Sequence, residues 1–142
     1  MDEAVAHING SVFFSEDSSG AELRERAHPE AWGDVILVRK DIGTSYHIAV
    51  VVDDARQGVT QVVRGRDLFH ATSIHVLLQE LLGLPTPRYL HHDLIDDAEG
   101  RKLSKSLGSK SLADLRAEGV SSQDVRLALG FHYRHPGESR DP

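Results

Sequence analysis

Ile74, Leu77, Leu78, Leu81 and Leu82 fall at i, i+3, i+4, i+7 and i+8, followed at once by Gly83 and Pro85. That spacing predicts an amphipathic helix, closed by the glycine and stopped by the proline. An apolar stripe needs a partner surface, and the flanking sequence offers strand-like runs. Asp34–Arg39 is short and rich in β-branched residues, so it is expected as a buried strand; Thr60–Arg64 and Arg88–Ile95 are further strands. Tyr46–Ala55 is ambiguous: its valines favour a strand, while its length and the closing Gly58 allow a helix. Ser111 and Ser121 each precede an acidic residue by three positions, the pattern of a capping box, and short helices are expected to Ala117 and Leu129. Alternating strands and helices imply an α/β sheet with crossover connections, whose ligands bind beyond the carboxyl ends of the strands.

Composition sets the outer limits. The 142 residues suffice for a real core, and 39% hydrophobic with 27% charged residues is the balance of a globular domain. There is no cysteine, which excludes a disulfide framework and a thiolate zinc site. No apolar run reaches the length of a bilayer span, and Met1-Asp2-Glu3 does not open a signal peptide, so the expectation is a cytoplasmic protein with no membrane partner. A net charge of −6 argues against an indiscriminate nucleic-acid binder but not against a local basic face. Residues 1–33 carry no evident chemistry and read as a linker or remnant. Within them Gly10–Phe14 is a possible short strand, Ser15–Gly20 a polar loop, and Ala21–His28 holds helix formers with little apolar stripe. Residues 34–131 hold the patterned part, and residues 132–142 read as a disordered tail.

One loop carries a chemical pattern. Gly100 to Gly108 places Lys102 and Lys105 three apart, with Ser104 and Ser106 interleaved and a glycine at each end. Lysine is a compact charge suited to phosphate oxygens, and hydroxyls and backbone N–H groups can add hydrogen bonds. Beside a triphosphate such a loop would stabilise charge moving onto departing pyrophosphate. An arbitrary Lys/Ser loop is more often a solvated turn. The remaining candidates are weighed the same way. Arg64 ends a valine run, where an arginine is usually a surface charge but can also clamp a carboxylate with two prongs. Arg66 and Asp67 read as a local ion pair or loop-shaping residues. Asp53 and Asp54 point about 100° apart on a helix and do not readily converge on one ion. His91 and His92 would face opposite sides of a strand, and His70 and His75 have no ligand spacing. No metal site is expected.

The lysine loop contains K-L-S-K-S, which resembles the second signature motif of the class I aminoacyl-tRNA synthetases. Residues 44–68 read T-S-Y-H-I-A-V-V-V-D-D-A-R-Q-G-V-T-Q-V-V-R-G-R-D-L, and residues 77–89 L-L-Q-E-L-L-G-L-P-T-P-R-Y, both similar to the glutamate branch of that class. The resemblance runs from about Trp32 to Phe131 and implies the second half of a Rossmann-type catalytic domain with short C-terminal helices. It tips Tyr46–Ala55 towards helix. It implies that Lys105, supported by Lys102 and Ser104, contacts ATP phosphates in a loop that moves, and that Tyr46 and Arg64 bind glutamate, with Asp67 near the pocket. Val50, one helical turn from Tyr46, would share its face without offering a hydrogen bond. ATP with Mg2+, glutamate and a tRNA are the implied ligands.

The first signature, HIGH, does not occur in the sequence, nor do the cysteines of the family's zinc module. The expectation is therefore a chain lacking the first half of the catalytic domain, inactive alone and complemented by an N-terminal half. The wording around Trp32, Leu68-Phe69 and the lysine loop resembles the shortened group that transfers glutamate to the queuosine base of tRNA(Asp). The alternatives are a truncated glutamyl-tRNA synthetase charging tRNA(Glu), and a non-catalytic relic or binding module.

Overall fold

The computed structural model describes residues 1–8, 10–18, 21–97, 100, 102–103 and 108–131. The chain divides into two units, Met1–Ile95 and Asp96–Pro142. In the first unit the elements run α1 (Asp2–His7), β1 (Phe13–Ser18), β2 (Ala21–Arg26), α2 (Tyr46–Gln57), β3 (Gln61–Gly65), α3 (Phe69–Leu82) and β4 (Arg88–His92). A 3-10 turn at Pro29–Trp32 precedes α2, and another at Arg66–Leu68 joins β3 to α3.

The described strands form one four-stranded sheet in the order β2-β1-β4-β3. β1 and β2 make an antiparallel hairpin, while β4 runs parallel to both β1 and β3. The segment β3–α3–β4 is thus a parallel crossover unit, as the alternation of patterns predicts.

Helix α3 is the centre of this unit. From Phe69 to Gln79 it contains no Asp, Glu, Lys or Arg, and every residue from Ala71 to Gln79 is buried. Val76 and Leu77 pack with Val12, Phe14, Ala27 and Tyr89 against the sheet. Ile74 and Leu78 pack with Val51 of α2, and Val35, Leu37 and Ile48 close that cluster. A helix covered on all sides is apolar or neutral on all sides, so its stripe is wider than the five leucine and isoleucine positions suggest. Leu82, the last of those five, is largely exposed. Gly83 ends α3 in the left-handed region at φ 63°, with its N–H and that of Leu84 bonded back into the last turn. Gly58 ends α2 in the same way at φ 68°.

Three expectations change. Ala21–Arg26, read only as helix formers within a linker, is the outer strand β2, because it has no apolar stripe to bury as a helix and pairs instead along β1. Residues 1–33, expected as a linker, supply Val12, Phe14 and Ala27 to the core, and β1 runs through the supposed polar loop to Ser18. Asp34–Arg39 is not a strand: Val35 and Leu37 lie against the α2–α3 cluster, while Ile36 and Val38 are 70% and 68% exposed. It alternates as a strand would but pairs with no described strand, and β3 keeps an open edge.

In the second unit Lys102 bridges Asp96, and α4 (Leu112–Ala117) and α5 (Ser122–Ala128) follow. Both helices carry the expected capping box: the Ser111 hydroxyl accepts from Asp114 N–H, the Ser121 hydroxyl accepts from Asp124 N–H, and each aspartate accepts from its serine's N–H. No described helix is long and apolar enough to cross a membrane.

Candidate functional site

The site is built by the register of β3 on β4. Val62 pairs with Tyr89 and Arg64 with His91, so these four side chains share the sheet face that α3 covers. Val63, between the two inward residues, is exposed. Arg64 therefore stands at the carboxyl end of a parallel strand with its guanidinium turned towards the helix. Thr72, His75 and Gln79 of α3 fall at i, i+3 and i+7, a polar stripe beside the apolar one, and all three are fully buried.

Every nitrogen of Arg64 is engaged. Its Nε donates to His91 Nε2 at 3.2 Å, its Nη1 lies 3.0 Å from His75 Nδ1, and its Nη2 donates to Thr72 Oγ1. The Tyr89 ring lies beneath the guanidinium, 5.1 Å from it. His91 Nδ1 is 2.7 Å from Glu16 Oε2, and His91 N–H donates to Glu16 Oε1 at 2.9 Å. On the opposite side, His75 Nε2 is 3.1 Å from His47 Nδ1. Gln79 Nε2 donates to the Tyr89 hydroxyl at 3.1 Å.

A cavity of about 340 Å³ opens against this network, lined by Tyr46, Val50 and Asp54 of α2, Arg64 of β3, and His75 and Gln79 of α3 among others. Tyr46 is 53% exposed and its ring meets His75 edge-on at 5.6 Å. Burial is the main force on the histidines: it pushes His75 down to about 3, helped by the charge of Arg64, and it lowers His47 and His91 as well. For His91 the neighbouring Glu16 works in the other direction. Burial raises Asp54, with Arg64 opposing.

The consequence is chemical. A guanidinium has five N–H donors; three are taken by neutral acceptors, leaving one on each terminal nitrogen. No described carboxylate forms an ion pair with it. A cation held at a strand end with no described carboxylate paired to it has the chemistry to accept an anion with two parallel oxygens.

The structure brings Tyr46, Val50 and Arg64 into one pocket. Lys102 belongs to the second unit, where it is exposed. Lys105, Ser104 and Ser106 lie outside the described residues. Asp67 does not line the pocket; its carboxylate crowds Gly65, where an added Cβ would meet Oδ1 at 2.5 Å. Arg66 lies 3.8 Å from Asp93 rather than pairing with Asp67. Asp54, weighed from the sequence as a metal ligand and set aside, lines the cavity. Glu16, His47, Thr72, His75, Gln79 and His91 are missed as site residues by the sequence. The legible signal for three of them was the polar 72–75–79 spacing inside a helix without charges. The described residues gather no group of three or more His, Asp or Glu side chains that would hold a metal ion.

A parallel crossover unit in a four-stranded mixed sheet, with a pocket at the strand's carboxyl end, is an α/β architecture of the kind that places ligands beyond its strand ends. The family model for tRNA synthetases class I (E and Q), catalytic domain, matches residues 22–131, and the chain belongs to that family. Among curated relatives it is 54% identical over 110 residues to the glutamyl-Q tRNA(Asp) synthetase of Rhodobacter capsulatus, covering 78% of this chain and 40% of that protein. It is 57% identical over 82 residues to the protein of the same name from Xanthomonas oryzae, covering 58% of this chain and 27% of that one. Of solved structures, a glutamate tRNA ligase from Elizabethkingia meningosepticum in complex with its amino acid superimposes with a TM-score of 0.56 at 31% identity, over 70% of this chain and 19% of that one. The chain thus spans well under half the length of these relatives.

Proposed function

We propose that this chain supplies the glutamate-binding half of a glutamyl-Q tRNA(Asp) synthetase-type catalytic domain. The observation that carries the reading is the Arg64 guanidinium, fixed at the end of β3 with one N–H on each terminal nitrogen left over from these bonds and no described carboxylate paired with it. Glutamate offers the matching group, and a carboxylate bound there would share the cavity that Tyr46 also lines.

In the proposed reaction the α-carboxylate of glutamate attacks the α-phosphorus of ATP. A carboxylate–phosphorus bond forms, the bond to pyrophosphate breaks, and glutamyl-adenylate results. A hydroxyl of the queuosine base of tRNA(Asp) then attacks the activated carbonyl, and AMP leaves. Arg64 and Tyr46 hold the amino acid, and the lysine loop, with Lys105 foremost and Lys102 and Ser104 beside it, stabilises charge on the phosphates. Mg2+ would accompany ATP, held through the phosphate oxygens.

The test is ATP–pyrophosphate exchange, with and without glutamate, on the chain alone and mixed with the N-terminal portion of a relative. Glutamate-dependent exchange that Arg64→Ala abolishes is the expected result. Exchange indifferent to glutamate or to Arg64 would overturn the reading. Presenting tRNA(Asp) and tRNA(Glu) in parallel then separates the glutamyl-Q reaction from ordinary glutamyl-tRNA synthesis.

A further inference from the structure

The groups that hold Arg64 fix their own proton positions. His91 Nε2 lies 3.2 Å from Arg64 Nε and 2.9 Å from the Thr72 hydroxyl; a guanidinium donates and never accepts, so the bond from Arg64 Nε–H requires a bare lone pair on that nitrogen, which the hydroxyl can share as a second donor. The His91 proton then sits on Nδ1 and is donated to Glu16 Oε2 at 2.7 Å. The same rule makes His75 Nδ1 an acceptor from Arg64 Nη1. Its proton sits on Nε2, 3.1 Å from His47 Nδ1. Two neutral histidines of opposite tautomer thus aim lone pairs at one guanidinium from two elements, α3 and β4.

We propose that His75 and His91, locked as opposite neutral tautomers by His47 and Glu16, are positioning residues that fix the plane of Arg64 and leave its charge for the ligand's carboxylate. This rests on the reading that Arg64 receives a carboxylate of glutamate. A carboxylate at either histidine position would hold Arg64 as firmly, but it would also neutralise the guanidinium and compete with the ligand. A neutral imidazole restrains without competing. The third nitrogen is fixed by Thr72, and Tyr89 closes the face, stacked on His91 at 6.0 Å with the rings 12° from parallel. A planar group held at three nitrogens and one face keeps a single orientation. The only carboxylate in the relay, Glu16, reaches Arg64 through His91, so it sets the tautomer without capping the charge.

The experiment is nitrogen-15 NMR of the imidazoles and of the Arg64 Nε–H in the full 142-residue chain near neutral pH. His91 is expected as the Nδ1–H form, the less common tautomer in water, and His75 as the Nε2–H form. His75→Leu should speed solvent exchange of Arg64 Nε–H about tenfold or more and weaken L-glutamate binding by a similar factor, the size of one lost hydrogen bond. His75→Gln, which restores an acceptor, should bring both back to within about threefold of wild type. A protonated His75 or His91, the same tautomer at both, or Arg64 exchange unaltered in folded His75→Leu would overturn the relay. The wild-type tautomers decide the matter if the leucine variant fails to fold. Correct tautomers in a chain that ignores glutamate would instead defeat the functional reading and, with it, the purpose assigned to the relay.

Discussion

Helix α3 and the pair α4 and α5 are built on opposite principles. α3 has no side-chain cap and exists because nine consecutive residues are enclosed by the sheet and α2. α4 and α5 have six and seven residues, none of them buried, and each is started by a serine–aspartate capping box. Leu112 at the head of α4 is 70% exposed. Burial in the first unit forces uncharged polar residues into a network that can grip a guanidinium. Local capping in the second needs no core and carries no such network among the described residues. The proposed carboxylate receptor belongs to that buried network in the first unit, and Lys102 belongs to the second.

The contrast breaks most sharply at Ile74, which touches both the helix stripe and Val51. Ile74→Ala should cost about 2–5 kcal/mol through lost transfer energy and the cavity left behind. Chemical denaturation should show it as a lower midpoint of the first unit, with the helices at 112–128 unaltered in their secondary shifts. If both respond together, the two units fold as one.

Arg64→Lys tests the fork rather than the charge. Lysine retains the cation but loses the planar donors, and glutamate binding should weaken by about 2 kcal/mol or more. Glutamate affinity equal to wild type would show that charge alone suffices there.

The histidines give the pH dependence. His75 has its folded value lowered from 6.5 to about 3, so between those values the unfolded chain binds more protons than the folded one. Stability therefore rises with pH across this window and is lost as pH falls below 6.5; His75 alone accounts for about 2 kcal/mol by pH 5. His47 and His91, lowered by burial, act in the same sense. The groups facing them are Glu16 of β1, Asp54 of α2, Arg64 of β3 and Arg66 of the following turn. The raised Asp54 works against this trend, because its folded form holds its proton more tightly. Thermal unfolding at pH 7.5 and 5 should show the drop, and His75→Gln should reduce it.

The smallest expected effect is at the caps. Ser111→Ala or Ser121→Ala should cost its own helix about 1 kcal/mol, visible as local loss of helical signal, and leave the first unit's unfolding midpoint unchanged.

Much of the frame could be read from the sequence for identifiable reasons. Gly58 and Gly83 mark helix ends because only their left-handed conformation closes the last turn, and the two serine–aspartate pairs announce their helices without tertiary help. The segments that misled are those where neighbours decide. Ala21–Arg26 has helix formers but becomes a strand because β1 offers a ladder, while Val35–Val38 has a strand's alternation and no ladder to join. Arg64 and Tyr46, which the family resemblance singles out, line one cavity. Their supports were not legible. Glu16, His47, Thr72, His75 and His91 lie on four different elements, and only the pairing of Arg64 with His91, with α3 laid over it, makes them neighbours.

The central claim is that Arg64 is a carboxylate receptor, and calorimetric titration of the wild-type chain and Arg64→Ala with L-glutamate and with L-glutamine tests it most directly. The account predicts saturable glutamate binding by the wild type, weaker binding of glutamine, and loss of the glutamate signal in Arg64→Ala. Glutamate binding that survives in a folded Arg64→Ala chain would contradict it.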